Sequence, residues 1–281
     1  MNTGNQITAN VYDIARIMEQ IAPAFLAEEW DNCGLQVGAY HWRVDKIWVA
    51  LDPLMEVVEA AGRNDVSLVI THHPLIFKGL KCIDIDSFEG KVIASALRSQ
   101  TAVYAAHTNL DSAVDGINDV LATRIGLQNT EPLLASTQYE GEDDDGAAQV
   151  GLGRIGTIPS PMSVRAWTKT LKQRLGLERV KVAGNLDRVV QRVALCSGSG
   201  SSLMDRFLST DADVYVSGDL RYHDARIVED SGRAFVDIGH FASEHLIIDA
   251  LVSNLKAAVE KSRWNILVEP CSIESDPFSI L

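Results

Sequence analysis

The sequence predicts an α/β protein: two facing α/β portions with mostly parallel or mixed sheets covered by helices, and a metal site at the strand ends between them. Short β-rich runs alternate with helical periods in both halves of the chain, and a polar stretch interrupts the pattern in the middle. Histidines and carboxylates gather where the apolar runs end, which is where parallel sheets open their ligand crevices.

Taken in order, "NVYDIARIMEQIAP" carries apolar residues at Val11, Ile14, Ile17, Met18 and Ile21, a helical period that stops before Pro23. The runs "KIWVALD" (46–52), "VSLVITHHP" (66–74) and "TAVYAAHTNLD" (101–111) read as strands ending in polar residues. "LMEVVEAAGRN" and "KVIASALRSQ" are helices between them. The stretch 128–149, with "TQYEGEDDDGAAQ", has clustered acids and no periodic apolar face, so it reads as a solvated loop or linker. "SPMSVRAWTKTLKQRLGL" then predicts a helix capped by Ser160, with Pro161 at its first position and Gly176 at its end. Beyond it the strand and helix alternation resumes through "RVALCSGSGSSLMDRFL", "ADVYVSGDLRYHDARIVEDSG", "AFVDIGHFASEHLIIDAL" and "WNILVEPC". The expected portions are 1–127, bearing the first histidines, a middle segment 128–190 with the acidic loop, and 191–281.

At 281 residues and a formal charge of −13 with no basic stripe, the chain is long enough for a real core and a poor partner for nucleic acid or an anionic membrane. Cys33, Cys82, Cys196 and Cys271 form no CxxC pair, which excludes a thiolate zinc site and predicts free thiols in a reducing compartment. No basic and apolar leader opens the sequence and no apolar run is long enough to span a bilayer, so the expected location is cytoplasmic.

Three strand ends carry chemistry. In "VSLVITHHP", Pro74 keeps His73 extended, and His72 and His73 are placed to serve two different ions as the pairing breaks up. In "AAHTNLD", His107 precedes Asp111 by four residues; Asp111 either supplies an anionic metal ligand or caps the following helix. In "FVDIGHFASEH", His240 and Glu244 lie at i and i+4 on one helix face, whereas His245 points elsewhere. One strand-end histidine pair is ordinary; His, His, Asp, His and Glu at three strand ends read together as a metal site.

The segments "EEWDNCGLQVG" (28–38), "THHPLIF" (71–77), "HTNLD" (107–111), "GDLRYHDA" (218–225) and "GHFASE" (239–244), in this order, resemble the Nif-three-like dinuclear metal centre family, whose bacterial members carry the name GTP cyclohydrolase 1 type 2 homologue. The resemblance runs from about Asp13 to the C-terminus. It implies that His72, His73, Asp111, His240 and Glu244 ligate two divalent metal ions per chain, with Glu244 bridging. It also implies a hexameric ring built from dimers. The donor types suit Zn, Mn, Fe, Co or Ni alike.

The activity so implied is metal-dependent hydrolysis, namely GTP ring opening with release of formate, with His107 or His223 moving protons; His107 reads equally as a partner that orients a ligand. The alternative is a non-catalytic ring that handles metal or scaffolds other proteins. "GLGRIG" (151–156) satisfies the GxGxxG pattern, but "TIPSP" follows it and forbids the helix a dinucleotide site needs. "GSGSS" (198–202) follows a strand and is either a phosphate cradle or a tight strand to helix connection. Trp30 and Leu35 are expected as packing anchors, with Asp31 and Asn32 lining the cavity.

Overall fold

A computed structural model describes residues 8–136 and 150–279. Of the stretch 128–149 expected as a loop, Gln128–Ala135 is instead a strand, held by antiparallel pairing with Gly151–Ser163, and the acidic residues 140–145 lie outside the described residues. The chain divides into two compact units, Met1–Leu110 with Ile247–Ser275, and Asp111–Leu246 with Asp276–Leu281. The boundary therefore falls earlier than residue 127, and the C-terminal helix and strand belong to the first unit. Pairing is the reason: the last strand adds to the first unit's sheet, beside and parallel to Lys46–Ala50.

The first unit runs β1 (Ala9–Asn10), α1 (Val11–Ile21), β2 (Gly34–Val37), β3 (Arg43–Val44), β4 (Lys46–Ala50), α2 (Met55–Arg63), β5 (Leu68–Thr71), α3 (Phe88–Ser99) and β6 (Ala102–Ala105). α4 (Thr108–Ser112) crosses the boundary. The second unit follows with α5 (Ile117–Ile125), β7 (Gln128–Ala135), β8 (Gly151–Ser163), α6 (Val164–Leu175), β9 (Lys181–Gly184), β10 (Val189–Ser199), α7 (Met204–Ser209), β11 (Val214–Gly218), α8 (Tyr222–Asp230), β12 (Ala234–Asp237) and α9 (His240–Glu244). α10 (Ile247–Lys261) and β13 (Leu267–Pro270) complete the first.

Five strands of the first unit form a sheet in the order β13-β4-β5-β6-β2, parallel except for the antiparallel edge strand β2. β5 and β6 are buried at every position, as a sheet covered on both faces requires. α1 starts as its pattern predicts: Asn10 and Asp13 form a reciprocal capping box, and Val11, Ile14, Ile17 and Met18 are buried.

The second unit's sheet is mixed, in the order β7-β8-β10-β11-β12-β9, with β10, β11 and β12 parallel at its centre. α6 begins at Ser163, whose hydroxyl accepts from the Ala166 amide, and not at Ser160. Ser160 and Pro161 lie instead in β8, where residues 158–161 bulge between the Thr157–Arg192 and Met162–Val190 pairs. β7 pairs only as far as Thr157, so the prolines interrupt no ladder on that side. The end of α6 is as expected, with Gly176 left-handed at φ 69°. "GLGRIG" lies wholly inside β8, which removes the dinucleotide reading.

Candidate metal centre

In the first unit, parallel neighbours β4, β5 and β6 end side by side, and each is followed by a chemistry-bearing residue: Asp52, the pair His72 and His73, and His107. Pairing persists past β5, since the His72 and His73 amides donate to Ala50 and Leu51 carbonyls at 3.2 and 2.9 Å. Thr71 turns the chain by donating its hydroxyl to the His73 carbonyl at 2.7 Å. The three imidazoles converge, with ring centroids 5.0 Å apart for His72 and His73, 5.1 Å for His72 and His107, and 5.6 Å for His73 and His107. One ligand nitrogen from each lies within 4.8 Å of the others.

Each of these rings has its Nδ1 held. His72 Nδ1 is 3.0 Å from the Ala106 carbonyl, His73 Nδ1 is 2.7 Å from Asp52, and His107 Nδ1 is 2.9 Å from Asp31. A carbonyl or carboxylate at Nδ1 fixes the proton there and leaves Nε2 as the lone-pair donor, the arrangement that orients metal-binding histidines.

Asp31 is not a cavity-lining group: its side chain is fully buried. Burial alone would raise its pKa, but hydrogen bonds from His107 and Thr108 outweigh this and hold the carboxyl well below the usual range. It also accepts the Thr108 amide at 3.0 Å. The Cys33 thiol lies 3.1 Å from Asp31 and 3.0 Å from Asn109. Burial, with Asp31 beside it, pushes that thiol up to about 12, so it is a protonated donor and no thiolate ligand.

The second unit repeats the device. Asp219 follows β11, His240 opens α9 shortly after its parallel neighbour β12, and His240 Nδ1 is 2.8 Å from Asp219. His240 Nε2 is 2.9 Å from Glu244, which is 4% exposed despite its charge. Gly198, at φ +58°, leaves the room Glu244 occupies; a Cβ there would lie 2.1 Å from Oε1. Its amide donates to Ser243, whose hydroxyl donates to the His240 carbonyl. Asp111 is held at Oδ1 by the Ser197 hydroxyl at 3.2 Å and is inside α4, so it does not cap the next helix, whose N-cap is Gly116.

His223 is exposed in the first turn of α8, edge-on to Tyr222 at 5.6 Å, and joins neither of these clusters. His245 stacks on Phe241. "GSGSS" is a tight connection: Gly200 accepts from the Tyr215 hydroxyl and α7 is a helix of six residues, leaving no phosphate cradle. Leu35 is half-buried in edge strand β2, but Trp30 is 56% exposed, so it is no packing anchor. All four cysteines are free, and no helix among the described residues is long and apolar enough to cross a membrane.

Asp31, Asp52 and Asp219 were not assigned from sequence as holders of imidazole nitrogens. For Asp52 and Asp219 a signal existed: each follows the parallel strand that neighbours the histidine-bearing one.

Mixed α/β units whose strand ends present Nδ1-anchored histidines and buried carboxylates define a class of candidate metal-binding proteins. The family model for Duf34/NIF3 (NGG1p interacting factor 3) matches residues 9–277, and the chain belongs to that family. It is 31% identical to a GTP cyclohydrolase 1 type 2 homolog of Clostridium perfringens, covering 96% of this chain and 98% of the relative. A protein of the same name from Clostridium acetobutylicum is 29% identical, with 97% and 99% covered. A crystal structure of a Bacillus cereus protein related to NIF3 matches with a TM-score of 0.88 at 27% identity, covering 97% and 99% of the two chains.

Proposed function

We propose that this chain is a dinuclear metal-dependent hydrolase that opens the ring of a purine nucleotide, with GTP as its substrate. The observation that carries the reading is the convergence of His72 and His73 beside His107, with each Nδ1 engaged by a carbonyl or carboxylate oxygen. Neutral imidazoles with carboxylates suit borderline divalent ions, so the donor set fits the group that the family implies. The proposed ligands are His72 and His73 from the first unit and Asp111, His240 and Glu244 from the second. Two bound divalent ions would supply an acidified water and an electrophile-polarising charge.

The residues of the chain would do the rest. His107 takes a proton at Nε2, because Nδ1 already gives its own to Asp31. The buried Asp31 carboxylate stabilises the imidazolium so formed, as a triad carboxylate does. His223, exposed on α8 and outside both clusters, is given no part in this transfer. The names of the Clostridium relatives support GTP as the substrate. The hexameric ring is proposed on the resemblance alone, and sedimentation of the purified protein tests it.

The deciding experiment measures metal per chain in protein purified without chelator, beside Glu244→Ala, and assays both for GTP consumption and formate. About two ions per chain, lost together with turnover in the variant, is the expected result. Two ions without turnover would remove the cyclohydrolase reading and favour metal handling. No metal after reconstitution would remove the dinuclear centre.

A further inference from the structure

Trp30 and Phe77 are large aromatic residues left 56% and 50% exposed. Their ring centroids are 5.5 Å apart and tilted by 44°. Both stand beside the imidazole trio: Trp30 is 6.0 Å and Phe77 6.3 Å from the His107 ring, and both meet it edge-on. They stand outside the buried core and instead pack on each other and on the imidazole at the site.

The loops that carry these rings are held in place. Ile76, one residue before Phe77, gives its carbonyl to the Asn32 amide group at 2.6 Å and its own amide to Gln36 Oε1 at 3.1 Å. Gln36 closes the clamp by donating to the Asn32 carbonyl at 2.8 Å. On the other side, Trp30 precedes Asp31, whose buried carboxylate is tied to His107 and Thr108. Two half-exposed aromatic rings on fixed loops form a pre-organised surface, where a planar ligand settles without ordering the protein first.

We infer that Trp30 and Phe77 form the stacking wall for the purine base of the ligand, presenting it to His107. This rests on the proposed purine nucleotide substrate. Aromatic side chains bind a heteroaromatic base through its π face, and replacing such a ring by alanine weakens binding about tenfold or more. The wall selects a planar ring and ignores the phosphates. Asn32 and Gln36 are positioning residues that act through Ile76.

The test is equilibrium dialysis of the full chain, purified without chelator, against GTP, guanosine and inorganic tripolyphosphate. Trp30→Ala, Phe77→Ala and Trp30→Phe are compared with wild type, with metal content, sedimentation and GTP turnover measured on each. The inference expects guanosine and GTP affinity to fall about tenfold in both alanine variants and to recover largely in Trp30→Phe. Tripolyphosphate binding and metal content stay unchanged. Unchanged nucleoside affinity in the variants, equal loss for tripolyphosphate, or no nucleoside binding by wild type would each overturn it. So would a drop in sedimentation coefficient on removing either ring, because a second copy of the chain would then be the occupant. Nucleoside binding that depends on Trp30 without formate release leaves the wall standing and sinks the cyclohydrolase reading. GTP turnover with KM and kcat unmoved by Trp30→Ala does the reverse.

Discussion

The two units solve one problem by different means. In each, a histidine follows one parallel strand and an aspartate follows its neighbour: His73 with Asp52 beyond β5 and β4, His240 with Asp219 beyond β12 and β11. In the first unit the supporting groups are carboxylates braced from behind. Asp31 is buried among polar partners, and the Asp52 amide is held by Glu274. In the second unit the support is space. Gly198 leaves room for the Glu244 carboxylate, and Gly218 leaves room for the His240 amide, where a Cβ would approach to 2.7 Å. The first unit should therefore fail when a polar group is removed, and the second when a methyl is added.

The largest effect is expected from Asp31→Ala. It strips a buried carboxylate from His107, Thr108 and Cys33, and the buried donors so orphaned, at about 1–3 kcal/mol each, should together cost about 3–5 kcal/mol. Urea denaturation of both proteins measures it. The same group sets a pH dependence. Its folded pKa is depressed, so its stabilisation is complete above the unfolded value of about 4 and is lost as pH falls below it. Asp31→Asn should flatten the acid limb of a melting temperature against pH profile, and an unchanged limb would deny Asp31 its charge. Gly198→Ala comes next, at about 2–4 kcal/mol: the left-handed backbone alone costs about 1–2 kcal/mol, and the methyl collides with Glu244. Bound metal should fall with it, whereas the same substitution at exposed Gly79, where a Cβ meets nothing, should change neither.

How far these devices were legible depends on their period. Strands β4, β5, β6, β11 and β12 announce themselves as unbroken apolar runs, and α1 as a capped amphipathic repeat, because burial on one or both faces writes itself into adjacent residues. His72, His73 and His107 stood out because they end such runs, and the structure brings them together. The start of α6 misled because Ser160 and Pro161 satisfy the local rules for a helix opening; the pairing of β8 with β10 overrode them and moved the cap to Ser163. Asp31 was seen but misplaced, since its partner His107 is 76 residues away and no local pattern reports such a bond. Trp30 was misjudged for the opposite reason: hydrophobicity predicts burial, and only the fold shows which aromatic residues stay outside. The division at Leu110 was hidden as well, because the return of β13 to β4 is a pairing between distant segments.

The paired substitutions Asp52→Asn and Asp219→Asn test the likeness of the two units directly. Both carboxylates are partly exposed, at 37% and 49%, so folding stability should hardly change. Loss of an outer partner of a ligating histidine typically weakens metal binding by about 10–100-fold. Competition with a chelator should show losses of similar size for the two. A loss in one variant alone would mean that only one of the two histidines takes part in metal binding.

The smallest effect concerns the segment after β13. Glu274 accepts the amides of Leu51 and Asp52 at 2.8 and 2.7 Å, closing the end of β4 just before the aspartate that holds His73. Burial raises its pKa, while the two amides oppose that. A carboxyl raised in the folded state contributes stability below its unfolded value of about 4.3, and this is lost as pH rises through the folded one. At neutral pH the ionised carboxylate is therefore a liability in charge and an asset in hydrogen bonding, and two variants separate these. Glu274→Gln removes the charge but keeps an acceptor for only one of the two amides, which Oε2 and Oε1 take separately, so it should cost about 1 kcal/mol. Glu274→Ala orphans both amides and should cost about 1–2 kcal/mol. If glutamine proved as costly as alanine, a single acceptor would hold nothing of the β4 terminus, and the first unit would need both oxygens of this carboxylate together.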